Sequence, residues 1–198
     1  QTKHKQIFLN LQTFNSVEDL ASKLLSEIYK NFSIQKLTDY FKSFRVIPSV
    51  NVNPISQDIS VSFTQSDKKQ IILEDVFNLL EKLTKNKKVI CVFDEFQDIF
   101  RIDKNLDRVL RTIIQDHQNI NYVFLGSEES MMKYIFEDVK SPFYHFGHLM
   151  NLAPITETDF KKFLAVRFKQ SKVDVSPAQI DDIIYFTQSH PYYTQQLA

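Results

Sequence analysis

Apolar and polar positions switch repeatedly between a two-residue and a helical period. Gln6 to Leu11 reads as a first strand. Val17, Leu20, Ala21, Leu24, Leu25, Ile28 and Phe32 then follow helical spacing, behind Asn15 or Ser16 as cap and Glu18 or Asp19 to complete a capping box. Ile34, Leu37, Tyr40, Phe41 and Phe44 predict a second, short helix. From Val46 to Phe63 the character changes: Ile59, Val61 and Phe63 alternate with Ser60 and Ser62, and Asn53-Pro54 marks a turn, the pattern of a hairpin insertion. Ile71, Ile72, Val76, Leu79, Leu80 and Leu83 give the next helix face, closed by the basic run Lys85 to Lys88.

The stretch that follows, Val89-Ile90-Cys91-Val92-Phe93-Asp94-Glu95-Phe96-Gln97-Asp98, organises the chain. Its unbroken apolar run predicts a strand buried on both faces, and it stops at two acids. Leu106, Val109, Leu110, Ile113 and Ile114 form another helix face, with Arg101, Arg108 and Arg111 on its solvated side. Asn121 to Leu125 is a third strand ending in Gly126-Ser127, Met131 to Phe136 is helical, and Leu149 to Leu152 is a short fourth strand stopped by Pro154. Beyond it, Thr156 with Asp159 caps a helix to about Phe168. Ser176-Pro177-Ala178-Gln179 starts another, running from Pro177 to Ser189. His190-Pro191 breaks that helix and a new one starts at Tyr192. The strand–helix alternation with short connections predicts a parallel α/β core over 1–154, with the hairpin insertion at about 46–63 and a helical unit over 155–198.

Composition adds limits. The 198 residues carry 24 Lys plus Arg against 24 Asp plus Glu, so the total charge gives no reason to expect nucleic acid or a membrane surface as partner. At 43% hydrophobic the chain can bury a core. Cys91 is the single cysteine and has no internal partner, which fits a reducing, cytoplasmic setting. No apolar run approaches a membrane span. The only glycines are Gly126 and Gly147, so no Gly-rich phosphate cradle exists in these residues. The abrupt strand at the start and the helix just begun at the end read as an internal piece of a longer protein.

In a parallel α/β sheet, function sits at the carboxyl ends of the strands. Here those ends offer Asp94, Glu95 and Ser127. Nucleotide hydrolysis uses this set. A strand-end Asp holds the water shell of Mg²⁺, an adjacent Glu orients a water, and a polar group on the next strand senses the terminal phosphate. The plainer alternative is that acids follow a strand where the chain returns to solvent.

Val89 to Ile99, with Asp-Glu-Phe-Gln-Asp, resembles the Walker B region of the archaeal-type ATPases, in the AAA+/STAND branch of P-loop NTPases. Phe124-Leu125-Gly126-Ser127 followed by Met131-Met132 is similar to their sensor-1 segment. Ser141-Pro142-Phe143-Tyr144 and then Asn151-Leu152-Ala153-Pro154-Ile155 resemble the approach to their last sheet strand, and Ser189-His190-Pro191-Tyr192-Tyr193 resembles the Gly-His-Pro-Tyr segment of their lid. The four segments occur in the family's order.

The resemblance implies a three-layer parallel sheet of P-loop NTPase type, with the central first strand missing from this chain and a small helical lid following. It implies ATP and Mg²⁺ as cofactors. Asp94 would be the metal residue, acting through water, with Glu95 as catalytic base and Ser127 as sensor. His190, Pro191 and Tyr192 would lie at adenine and ribose. The parent protein would be the ATPase and these residues alone would be inactive. The partners would be a nucleotide and a protein of unknown identity. DNA binding through a further C-terminal segment and oligomer formation are compatible with the family but have no mark here.

Departures from the pattern are the absent Walker A loop, the His145, Phe146 and His148 positions where an arginine often stands, and Ser189 in place of the lid's glycine. Two alternatives stand beside the hydrolase reading. One is a degenerate NTPase-like interaction module. The other is a Mg²⁺-dependent nuclease or phosphotransferase built on Asp94, Glu95 and Asp98, disfavoured because the neighbouring strands supply no further acids.

Overall fold

Strand β4 (Val89–Asp94) lies at the centre of a three-stranded sheet, parallel to β1 (Lys5–Asn10) on one side and to β5 (Ile120–Phe124) on the other. This computed structural model describes residues 5–32, 40–52, 59–64, 67–84 and 88–198. The expected helix positions Ile34 and Leu37, the Asn53-Pro54 turn and the Lys85–Lys87 basic run lie outside the described residues. The chain divides into two compact units, Gln1–His148 and Leu149–Ala198.

In the first unit the parity of the strands decides what is covered. Ile7 and Leu9 of β1, Val89, Cys91 and Phe93 of β4, and Ile120 of β5 point to one face and are buried. Helices α1 (Val17–Asn31) and α2 (Lys69–Leu83) pack on each other and on this side, with Phe77 of α2 stacked on Phe93 at 6.4 Å. Helix α1 begins as its sequence dictates, with Ser16 Oγ accepting the Asp19 N–H and Asp19 accepting the Asn15 N–H. The short α3 (Ile99–Ile102), α4 (Leu106–Ile114) and α5 (Glu129–Glu137) complete this layer with Ile99, Leu110, Ile114 and Phe136. The described residues thus supply the sheet and one helical layer.

The opposite sheet face carries Phe8, Val92 and Val123 side by side in register, with Phe8 53% and Val123 39% exposed. The apolar run of β4 is therefore not buried on both faces as expected: Ile90 and Val92 are half-buried. Strands β2 (Ser49–Val52) and β3 (Ile59–Ser62) form a separate antiparallel pair with Val50 opposite Val61, and β3 packs against α1.

Leu149 to Leu152 does not form the expected fourth strand. It pairs with no strand among the described residues, and Met150 and Leu152 are 78% and 93% exposed. A strand needs a neighbour's backbone to satisfy its own, and local apolar sequence cannot supply one.

The second unit is three helices, α6 (Glu157–Gln170), α7 (Pro177–Thr187) and α8 (Pro191–Leu197), packed through Phe160, Leu164, Ile180 and Ile184. Thr156 caps α6, and Ser176 with Gln179 forms the capping box of α7. Helix α7 ends through two consecutive left-handed residues, Gln188 (φ 49°) and Ser189 (φ 58°). The Ser189 hydroxyl is buried without a hydrogen-bond partner.

Ser189 therefore carries both a left-handed penalty, about 1–2 kcal/mol for a residue with a Cβ, and an unsatisfied hydroxyl. Part of that gain is offset by the unfolded-state entropy of glycine. Ser189→Gly is expected to stabilise the second unit by about 1 kcal/mol, read as a higher denaturant midpoint. An unchanged or lower midpoint would contradict the strain.

Candidate functional site

Asp94, Glu95 and Ser127 come together at the carboxyl end of the sheet. The chain leaves β4 through Glu95, which adopts a left-handed conformation (φ 51°, ψ 49°), and enters a 3-10 turn, Phe96–Asp98. A non-glycine residue in that region costs of the order of 1–3 kcal/mol and persists only where its surroundings over-determine it. Here they do. Phe96 is fully buried, 4.5 Å from the ring of Phe124 and edge-on to Phe143 at 5.4 Å. Its N–H donates to the Leu125 carbonyl at 2.8 Å, and the Leu125 N–H donates to the Phe93 carbonyl at 2.8 Å. The β4–β5 ladder thus continues past the formal strand ends and locks the turn to Gly126-Ser127.

The side chains close on each other. The Ser127 hydroxyl donates to Glu95 Oε2 at 2.7 Å, and Gln97 Nε2 donates to the same oxygen at 2.5 Å. The Ser127 bond, then the Gln97 bond, hold the Glu95 carboxyl below the ordinary carboxylate range, so it is ionised at neutral pH. Asp94 Oδ1 accepts the Glu95 N–H at 3.1 Å, and Oδ2 accepts from Asn10 Nδ2, at the end of β1, at 3.3 Å. Arg101 adds a second clasp, donating to the carbonyls of Leu11 (3.1 Å) and Gln12 (2.9 Å) in the turn after β1.

Arg101 is exposed, as expected for a solvated side, but its guanidinium is bound to backbone carbonyls. Arg111 departs from that expectation: it is half-buried, donates to the Pro142 carbonyl and stacks on Phe146 at 4.3 Å. Asp98 faces Arg101 at 3.7 Å.

His190, Pro191 and Tyr192 lie in the second unit and are exposed. His190 caps α8: its N–H donates to the Thr187 carbonyl at 2.9 Å and its carbonyl accepts the Thr194 N–H. The Tyr192 hydroxyl accepts from Gln196 at 2.9 Å.

Asn10, Gln97 and Arg101 are the site residues that sequence reasoning missed. Asn10 ends an otherwise apolar strand and Gln97 sits two residues past the acids; each position was visible, but neither partner was.

The chemistry of the donor set fits Mg²⁺ in a particular way. Among the described residues no group of three His, Cys, Asp or Glu gathers to hold an ion unaided. Two hard carboxylates at a strand end match an ion that keeps most of its water and shares phosphate oxygens.

No known family's sequence model and no curated protein matches the chain. Among solved structures it is similar to the ORC2 protein of Aeropyrum pernix. To the ADP form it is 16% identical over 91% of this chain, with a TM-score of 0.48. To the ADPNP–ADP complexes it is 17% identical over 84%, with a TM-score of 0.45. The chain spans 41% and 36% of those two chains. No helix among the described residues is long and apolar enough to cross a membrane.

Gly126 sits where nothing larger fits. A Cβ there would meet Gln97 Oε1 at 2.6 Å and overlap the end of Met132. Met132 can yield; the Gln97 amide cannot without leaving Glu95. Gly126→Ala is expected to cost about 1–3 kcal/mol, measured by denaturant unfolding. A loss under a few tenths would show that the seam is looser than drawn.

Proposed function

We propose that these residues form the Mg²⁺-dependent hydrolytic half of an ATP-binding domain of the AAA+/STAND type. The observation that carries the reading is the over-determined Glu95: a carboxylate in a left-handed turn, at the end of a central parallel strand, with one oxygen held by two side-chain donors. A solvated acid at a strand end needs none of this.

Asp94, braced by Asn10, is the residue that would hold the water shell of Mg²⁺. When bound, the ion would neutralise charge on the phosphates. Glu95 is the general base. Its Oε2 is occupied by Ser127 and Gln97, so Oε1 takes the proton as the water oxygen attacks the terminal phosphorus. The bond to the bridging oxygen breaks and ADP leaves with the electron pair. Ser127 is placed to reorient when a terminal phosphate arrives, because a hydroxyl can exchange its acceptor by rotation. We assign His190, Pro191 and Tyr192, exposed on the second unit, to adenine and ribose on the family resemblance alone. The work that hydrolysis drives would be done on a protein partner, in the cytoplasm.

One observation favours a second reading, a non-hydrolysing interaction module: with two glycines, the 198 residues contain no phosphate cradle. Both readings predict the same outcome in one measurement and differ in a second. Calorimetry on the 198 residues is expected to find no micromolar ATP affinity, and such affinity would point to a different nucleotide site.

In the full-length protein, Glu95→Gln should lower steady-state hydrolysis by about 10²–10⁴-fold while ATP binding survives. Asp94→Ala should weaken Mg²⁺-dependent binding as well as turnover. Undiminished hydrolysis in Glu95→Gln removes the assignment. Absence of hydrolysis in the parent protein leaves the interaction module.

A further inference from the structure

The structure assigns Gln97 a role as the positioning residue of Glu95: its buried amide fixes which carboxylate oxygen is left to act. The inference rests on the hydrolytic reading above and deepens it by giving Gln97, one of the two donors to Glu95, a task distinct from that of Ser127.

Gln97 is 9% exposed, wedged between the turn after β4 and the end of β5. Its Nε2 reaches Glu95 Oε2, while its Oε1 is buried with no hydrogen-bond partner. A buried unsatisfied carbonyl costs about 1–3 kcal/mol, so a methionine or leucine would fill the seam at lower free energy. Packing alone therefore does not account for a glutamine here. Nor can the amide turn over to improve matters, since flipping it would aim its oxygen at a carboxylate. The only orientation that satisfies Glu95 is the one that orphans Oε1.

Space for that orientation comes from Gly126, whose missing Cβ leaves room for the amide oxygen. On the other side, Phe96, fully buried among Phe93, Phe124 and Phe143, prevents the turn from sliding. Ser127 donates to the same oxygen but is exposed, and a hydroxyl can exchange its acceptor by rotation. Gln97 is the fixed donor of the two. When Ser127 leaves, Gln97 keeps Oε2 occupied and Oε1 directed outward.

The test is made in the full-length protein. Gln97→Met keeps length and apolar volume and removes the donor; Gln97→Leu serves as a second variant, each checked for folding by circular dichroism. With ATP, kcat is expected to fall by about 10–100-fold with KM unchanged, and Gln97→Met placed on Glu95→Gln should cause no further loss. In ¹⁵N-labelled protein the Gln97 side-chain NH₂ resonances should move in Glu95→Ala.

A kcat within about twofold of the parent in both Gln97 variants, with Glu95→Gln inactive, overturns this inference alone. So does an NH₂ pair that does not respond to Glu95→Ala. Undiminished hydrolysis in Glu95→Gln overturns the hydrolytic reading and this inference with it.

Discussion

The left-handed backbone of Glu95 is the constraint on which the site depends. A glutamate would relax from φ 51° if it could. It is held there because the next residue, Phe96, has no other place to go: its ring fills the aromatic cluster under β5 and its N–H completes the ladder to Leu125. Burying a phenylalanine is worth about 1.5–3 kcal/mol and the added ladder bond about 1 kcal/mol, enough to offset the strain. The direction in which the carboxylate leaves the sheet is thus set by hydrophobic packing a residue away.

That packing also ties the three strand ends into one unit. Asn10 and Arg101 clasp the end of β1 to the end of β4 and the turn after it, while Phe96 and Ser127 clasp that turn to the end of β5. Each clasp is a bond between segments far apart in sequence, so the catalytic geometry proposed for Asp94 and Glu95 exists only when the sheet is assembled. A solvated acidic turn would not need its neighbours in this way.

Much of this was legible in the chain. The apolar run Val89–Phe93 gave a central parallel strand, Asp94 and Glu95 fell at its carboxyl end, and Gly126-Ser127 closed the adjacent strand as the hydropathy pattern required. The Ser176 capping box was readable to the residue because its partners are three positions apart.

What was not legible depends on tertiary partners. Leu149–Leu152 has strand-like composition but no backbone to pair with, and the helical spacing around Arg101 and Arg111 could not reveal the carbonyls they reach, 31 or more residues away. Gln97 illustrates the limit: a glutamine after two acids looks like surface, and only the fold shows it to be buried.

Local charge sharpens what the site can and cannot do. Asp94, Glu95 and Asp98 stand close in sequence at the strand end, and the nearby cation, Arg101, is spent on Asp98 and on two backbone carbonyls. A polyphosphate brought to this edge meets carboxylates whose repulsion is relieved only by a cation and by N–H donors directed at the phosphate oxygens. The Ser127 hydroxyl donates to Glu95 and, on exchanging acceptor, would offer a phosphate a single donor. On the proposed reading, affinity for a nucleotide comes mainly from backbone donors outside this set, and the residues gathered here would act on the reaction after binding. That division of labour is why the geometry supports a hydrolytic role for Glu95 more strongly than it supports nucleotide capture, and why the two are separable by experiment.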